Sequence, residues 1–455
     1  MAVTAPETKA LAARRYIWSL APVCVALLAA GLAAIDPRRS FTLAEVEWVL
    51  QSGRQWRDLV PIWHADASGS VYLALLKGWL HVGSAERVAR VPSVVAVALT
   101  AALVYALGAR LFDRSAGVAA GVLFATIAFT TGLGRNVGPL ALAVLAATLA
   151  TWLFVVATES RGRIAWSAYA VVAAASVYIH ASCVLVLVAH AATFVVMRRT
   201  GGWRSALPSI LVAALAAPAV VQVLASQRHL IDALDQPSLV DVAGALHAAS
   251  GRNVVLIVLA AAGIAGLALW PGTKVDAWKV VLLTSWALIP LVGVLVLSIA
   301  RPSLDPRYVA VSAPALSLSA GVALTRLLRP KVAAVAAIGV LALVGVRLTQ
   351  LERSTPENWR AATAYALSAK EAQDRIVVAP ARAISAFAFY AGRDRGSLTP
   401  GGPVSLVIVR ARSDDDALEI SRRAARAPTY ALRGERRFGS SLRVQQWERT
   451  GLPAS

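Results

Sequence analysis

Charge is scarce in this 455-residue chain: Asp, Glu, Lys and Arg together make up 15% of it, against 58% hydrophobic residues. With a mean hydropathy of +0.63, that balance excludes an ordinary soluble domain. Cysteine is scarcer still. The two present, Cys24 and Cys183, both fall inside apolar runs, which argues against a disulfide framework and leaves the redox compartment open. Acidic residues number 25 against 45 basic ones, a formal net charge of +20. In a soluble chain that excess would suggest nucleic acid; here the arginines collect in short connections, where anionic head groups account for them. The C-terminal tail shows no phosphate loop, metal-ligand cluster or catalytic triad, and no strong short repeat is found. No cleavable signal peptide is evident either, because 16–35 is long enough to stay in a membrane and no small-residue cleavage site follows.

What is present is a succession of apolar runs, several reaching the roughly 18–20 residues needed to cross a bilayer core of about 30 Å. Spans are expected near 16–35, 92–107, 116–130, 140–157, 166–178, 183–197, 208–224, 254–270, 280–300, 309–327 and 332–351. Alternate connections are rich in arginine (Arg110 and Arg114; Arg161 and Arg163; Arg198, Arg199 and Arg204) or nearly bare (132–139 and 179–182). With Lys9, Arg14 and Arg15 before the first run, the pattern predicts a cytoplasmic N-terminus, about eleven spans and an extracytoplasmic tail. The fold class is therefore a polytopic α-helical membrane protein. A module at 1–351 carries a first outer loop at 36–70 and an interfacial helix at 71–82. A small extracytoplasmic α/β domain at 352–455 has helical patterns at 358–370 and 414–425 and strand patterns at 375–379, 404–409, 430–433 and 442–447.

The first outer loop holds most of the candidate chemistry. Glu45, Glu47 and Asp66 could each deprotonate an acceptor hydroxyl. Thr42 and Glu45 also fit a capping box, in which Glu45 would only begin a helix. Trp63, His64 and Tyr72 are candidate sugar or acceptor contacts, although a tryptophan belt at the membrane interface is the commoner reason for a residue such as Trp63. His64 and Asp66 could contribute to a metal site without a third ligand in view, so no cofactor is required and a divalent metal stays open. Arg135, His180, Arg307 and Tyr308 fall at one outer level in the predicted topology. Converging cations there would suit a phosphate, and the alternative is arginines reaching for head groups.

In order along the chain, Ala44-Glu45-Val46-Glu47, Ala67-Ser68-Gly69-Ser70-Val71-Tyr72-Leu73, Arg90-Val91-Pro92-Ser93, Gly108 to Phe112, Gly132-Leu133-Gly134-Arg135, Ile179-His180, Arg307-Tyr308-Val309-Ala310-Val311 and Trp359-Arg360 form a pattern. It resembles GT-C membrane glycosyltransferases, in the family 39-like branch of protein O-mannosyltransferases and lipid A aminoarabinose transferases. Three polar positions of that branch are replaced: Ala44 stands for the first acid, Leu133 for the turn glutamate and Ser68 for a histidine. The resemblance implies a polyprenyl-phosphate sugar donor, with mannose among the candidate sugars. Transfer would reach a cell-envelope lipid, glycan or protein at the outer face of the plasma membrane, with no nucleic-acid partner. Arg135, His180, Arg307 and Tyr308 would hold the phosphate and a loop carboxylate would act as base. Two other readings stay open: a non-catalytic scaffold of the same fold, suggested by Ala44, and a lipid-linked sugar transporter, which paired broken helices would favour.

Overall fold

The computed structural model describes residues 5–35, 39–65, 67–160, 162–197, 214–218, 220–222, 244, 250, 253–269, 275–300, 306–353, 357–369, 375–379, 383–392, 405–410, 430–439 and 442–449. The candidate helix at 414–425, most of the expected span at 208–224 and Asp66 lie outside them. The chain divides into two units. One comprises residues 1–35, 54–81 and 90–348, and the other 36–53, 82–89 and 349–455.

The first unit is helical. It contains α1 (Ala5–Ala34), α3 (Trp56–Ala65), α4 (Ser70–Trp79), most of α5 (Glu86–Leu111), α6 (Arg114–Thr126), α7 (Ala128–Gly134), α8 (Pro139–Ser160), α9 (Arg163–Ile179) and α10 (Cys183–Met197). After these come α11 (Val254–Leu269), α12 (Ala277–Ala300), a 3-10 turn (Pro306–Ser312), α13 (Ala313–Val322) with a π turn to Leu327, and most of α14 (Pro330–Arg353). Five of the described helices are long and apolar enough to cross a membrane, six if α6 and α7 count as one broken span. Shorter apolar helices accompany them, among them α9 and α10. At about 1.5 Å per residue, the ten residues of α4 are too few to cross a bilayer.

Small residues set the spacing between helices. A Cβ on Gly263 of α11 would run into the carbonyl oxygen of Ser319 on α13, so glycine alone permits that approach.

The break between α6 and α7 was not anticipated by the uninterrupted apolar run 116–130. The axis bends there by 65°. Ile127 is extended, with φ −61° and ψ 123°. Thr130 Oγ1 donates to the carbonyls of Phe124 at 2.7 Å and Ile127 at 2.9 Å, while Thr126 Oγ1 donates to Val122 O at 2.9 Å. Buried hydroxyls thus serve the carbonyls around the kink, the condition for a broken helix at membrane depth.

The second unit carries α2 (Leu43–Ser52), the first turn of α5, α15 (Trp359–Ser368), α16 (Ile384–Ala391) and four strands: β1 (Arg375–Ala379), β2 (Ser405–Arg410), β3 (Tyr430–Arg437) and β4 (Arg443–Arg449). The sheet order is β1-β2-β4-β3, with β1 and β2 parallel and the other pairs antiparallel. The first half of the outer loop, 36–53, therefore groups with the chain's C-terminal segment and apart from the second half, whereas the sequence pattern assigned 36–70 as a whole to the membrane module. Asn358 caps α15 by accepting from Ala361 N at 3.1 Å.

Candidate functional site

In the first unit, α8 and α9 form an antiparallel hairpin, joined by residues 161–162 and packed along their length. This brings the residue before α8 and the residue after α9 to the same end. Arg135 closes α7 four positions before Pro139, and His180 caps α9. The antiparallel register is visible where Cys183 Sγ lies 3.6 Å from Ala143 O, one turn into α8. The 3-10 turn packs against α8 and presents Tyr308, whose ring centre is 5.5 Å from that of His180. Residue 307 is in the same turn; its side chain lies outside the described residues.

His180 is held locally. Its Nδ1 accepts from Ser182 N at 3.2 Å and lies 2.8 Å from Ser182 Oγ, so in the neutral ring the proton belongs on Nε2. The same turn is tied to the start of α4: Gly69 N donates to Tyr178 O and Ala181 N donates to Ser68 Oγ, both at 3.1 Å. Ser68 thus makes a polar contact with the turn after α9. Arg135 is buried, and its Nη2 donates to Leu32 O in the last turn of α1 at 3.0 Å. A guanidinium on a helix C-terminal carbonyl is favoured by the helix dipole, so part of Arg135's role is to seat α1. Gly134 beside it leaves room for Ala33.

The remaining loop residues are spread out. Trp63 is half-buried and meets Trp56 edge-to-face at 6.2 Å; Lys77 Nζ sits 5.2 Å from the centre of the Trp56 ring. His64 is exposed on α3, and Tyr72 is buried on α4. Among the described residues no three His, Cys, Asp or Glu side chains come together as a metal site.

Glu45 and Glu47 of the first loop sit in the second unit. Glu45 is 1% exposed and completes the capping box: Thr42 N donates to Glu45 Oε2 at 2.8 Å and Glu45 N to Thr42 Oγ1 at 3.4 Å. Glu47 is half-buried and Ala44 exposed. Nearby, Glu86 pairs with Arg360 and accepts from Tyr390 OH at 2.7 Å. Burial, followed by this hydrogen bond, pushes the Tyr390 hydroxyl above its ordinary value, and the hydrogen bond to Glu86 does the same for Arg360.

Sequence reasoning also missed His190. It is buried among α8, α9 and α10, stacked on Phe154 with ring centres 4.8 Å apart. Thr151 Oγ1 donates to Ala147 O at 2.8 Å, so His190 Nε2–H donates to Thr151 at 2.9 Å while Nδ1 accepts from Tyr169 OH at 3.1 Å. Each polar atom has one role, that of a satisfied structural histidine.

Over residues 70–225 the sequence matches the family model described as dolichyl-phosphate-mannose-protein mannosyltransferase. ArnT from Cupriavidus metallidurans bound to undecaprenyl phosphate superposes with a TM-score of 0.58 at 14% identity, covering 94% of this chain and 98% of its own. The Archaeoglobus fulgidus oligosaccharyltransferase AglB, in complex with an inhibitory peptide and a dolichol-phosphate, superposes with a TM-score of 0.55 at 12% identity, covering 87% of this chain and 69% of its own. The fold is that of the GT-C membrane glycosyltransferases. No curated protein sequence matches the chain.

Proposed function

We propose that this GT-C chain transfers a sugar, mannose among the candidates, from a polyprenyl-phosphate donor to a lipid, glycan or protein of the cell envelope. We place the reaction at the extracytoplasmic face of a plasma membrane crossed about eleven times, with the N-terminus cytoplasmic and the C-terminal α/β region outside. Support comes from the family match over residues 70–225 and from ArnT and AglB, which carry undecaprenyl phosphate and dolichol-phosphate. The observation that carries the reading most directly is the meeting of His180 and Tyr308 at the hairpin end to which Arg135 also belongs.

In this reading His180, Tyr308 and Arg307 hold the donor phosphate and Arg135 braces the turn beside them. The acceptor oxygen attacks the anomeric carbon as the bond to the phosphate oxygen breaks, and the electron pair leaves with the polyprenyl phosphate. Charge gathers on that phosphate, where fixed donors stabilise the transition state most. The acceptor's proton goes to Glu47: Glu45 is buried and engaged in its cap, whereas Glu47 keeps partial access to solvent. Asp66 remains a further candidate. Trp63, His64 and Tyr72 are assigned to sugar or acceptor contact. A non-catalytic scaffold is the second reading, favoured by an exposed alanine, Ala44, at the first acidic position. Purified protein in liposomes with radiolabelled polyprenyl-phosphate sugar and membrane acceptors separates the two. Label in the acceptor fraction supports transfer, and none with any such donor refutes it.

A further inference from the structure

We infer that Glu357 and Tyr390 are positioning residues that fix the start of α2, and with it the turn bearing Glu47, from the C-terminal segment of the chain. The inference rests on reading Glu47 as the proton acceptor. Three successive backbone donors lead into α2, and each has a side-chain acceptor. Phe41 N donates to Tyr390 OH at 2.7 Å, Thr42 N to Glu45 Oε2 at 2.8 Å and Leu43 N to Glu357 Oε2 at 2.9 Å. Helix starts ordinarily satisfy such donors locally or with water. Here the Thr42–Glu45 box is already formed, so the two remote acceptors are not needed to begin the helix. They are 349 and 314 residues away in sequence. What they add is a fixed location for the helix start.

Both acceptors are themselves anchored. Glu357 Oε2 also accepts from Trp359 Nε1 at 2.8 Å, and Ser40 Oγ donates to Glu357 O at 3.1 Å. Trp359 is fully buried. Tyr390 OH donates to Glu86 Oε1 at 2.7 Å, and the other oxygen of Glu86 is held by Arg360. Phe41, fully buried, meets Phe389 edge-on with ring centres 5.8 Å apart. The arrangement has two independent attachment points with a buried aromatic between them, and two points fix a helix's direction where one would let it pivot. A group that must meet a reacting hydroxyl tolerates little displacement.

The test uses the full chain in nanodiscs and two readouts, amide hydrogen exchange over residues 41–47 and steady-state transfer kinetics. Glu357→Ala and Tyr390→Phe are expected to speed exchange at 41–47 while leaving the sheet strands protected. They should lower kcat about 10–100-fold, the scale of a catalytic group displaced by about 1 Å, with the donor KM little changed. Glu357→Gln should recover most of kcat, because its amide oxygen still accepts. Unchanged exchange in both variants overturns the inference, as does faster exchange with unaltered kcat. Equal loss in Glu357→Ala and Glu357→Gln, parallel to a fall in melting temperature, assigns Glu357 to folding alone. A wild-type protein without transfer activity refutes the proposed function instead, and exchange at 41–47 then still decides whether the remote acceptors hold α2.

Discussion

Replacing each loop acid with its amide separates a cap from a base. Along α2, Glu45 and Glu47 are two steps of about 100° apart, so they project from nearly opposite sides of the helix. The structure buries Glu45 and leaves Glu47 half-exposed. Glu45→Gln keeps an oxygen for Thr42 N but removes a negative charge from a helix N-terminus, a loss of about 0.3–1 kcal/mol. Glu45→Ala removes the acceptor as well and strands the Thr42 N–H, adding about 1–3 kcal/mol, so the total is about 1–4 kcal/mol. Glu47→Gln touches no part of the capping box and should leave it intact. In thermal unfolding Glu45→Gln should therefore melt above Glu45→Ala. In transfer assays Glu47→Gln should be inactive and Glu45→Gln largely active. A silent Glu47→Gln beside a well-folded but inactive Glu45→Gln would refute the assignment.

Gly263→Leu should destabilise the helical unit by about 1–3 kcal/mol or more, because backbone must move to admit the side chain, while Gly339→Leu, which meets nothing within 4 Å, serves as a silent control in thermal unfolding. Burial pushes the Asp113 carboxyl up, but the N–H groups of Ala116 and Ser115 and the Arg326 guanidinium together outweigh it and hold it below its ordinary 3.8. A depressed folded value means that its stabilisation is present above pH 3.8 and is lost as pH falls through the folded value. Asp113→Ala should thus cost about 0.5–2 kcal/mol at neutral pH, as for loss of an N-cap, with the gap from wild type closing in acid. Finally, Ser368→Cys, introduced after replacement of Cys24 and Cys183, should react with a membrane-impermeant thiol reagent in intact cells. Labelling only after lysis would reverse the proposed orientation.

Much of the helical unit was legible because lipid imposes a simple rule, and long apolar runs with arginine between them report it directly. His180 and Tyr308, far apart in sequence, have ring centres 5.5 Å apart. The kink at Ile127 was not legible: isoleucine is no helix breaker, and the hydroxyls of Thr126 and Thr130 that make the break tolerable read as ordinary small polar residues. The helix Ile384–Ala391 was missed because ISAFAFYA is too short and too evenly apolar for a period to emerge. His190 looked like one polar residue in an apolar run, and its partners Thr151 and Tyr169 come from two other helices. The capping role of Glu45 was legible, since a capping box is a local pattern. The acceptors Glu357 and Tyr390 were not, because nothing near Phe41 or Leu43 in sequence announces a partner more than 300 residues away.

The central claim is that the turn carrying Arg307 and Tyr308, with His180 against it, holds the phosphate of a polyprenyl-phosphate donor. Equilibrium binding of undecaprenyl phosphate to the purified protein tests it without requiring turnover. Wild type should bind, and Arg307→Ala and His180→Ala should each weaken binding by about 1.5–3 kcal/mol, on the order of 10–100-fold, as for loss of a hydrogen bond to a charged group. Undiminished binding by both variants, with the same lipid competing equally well, would contradict the account.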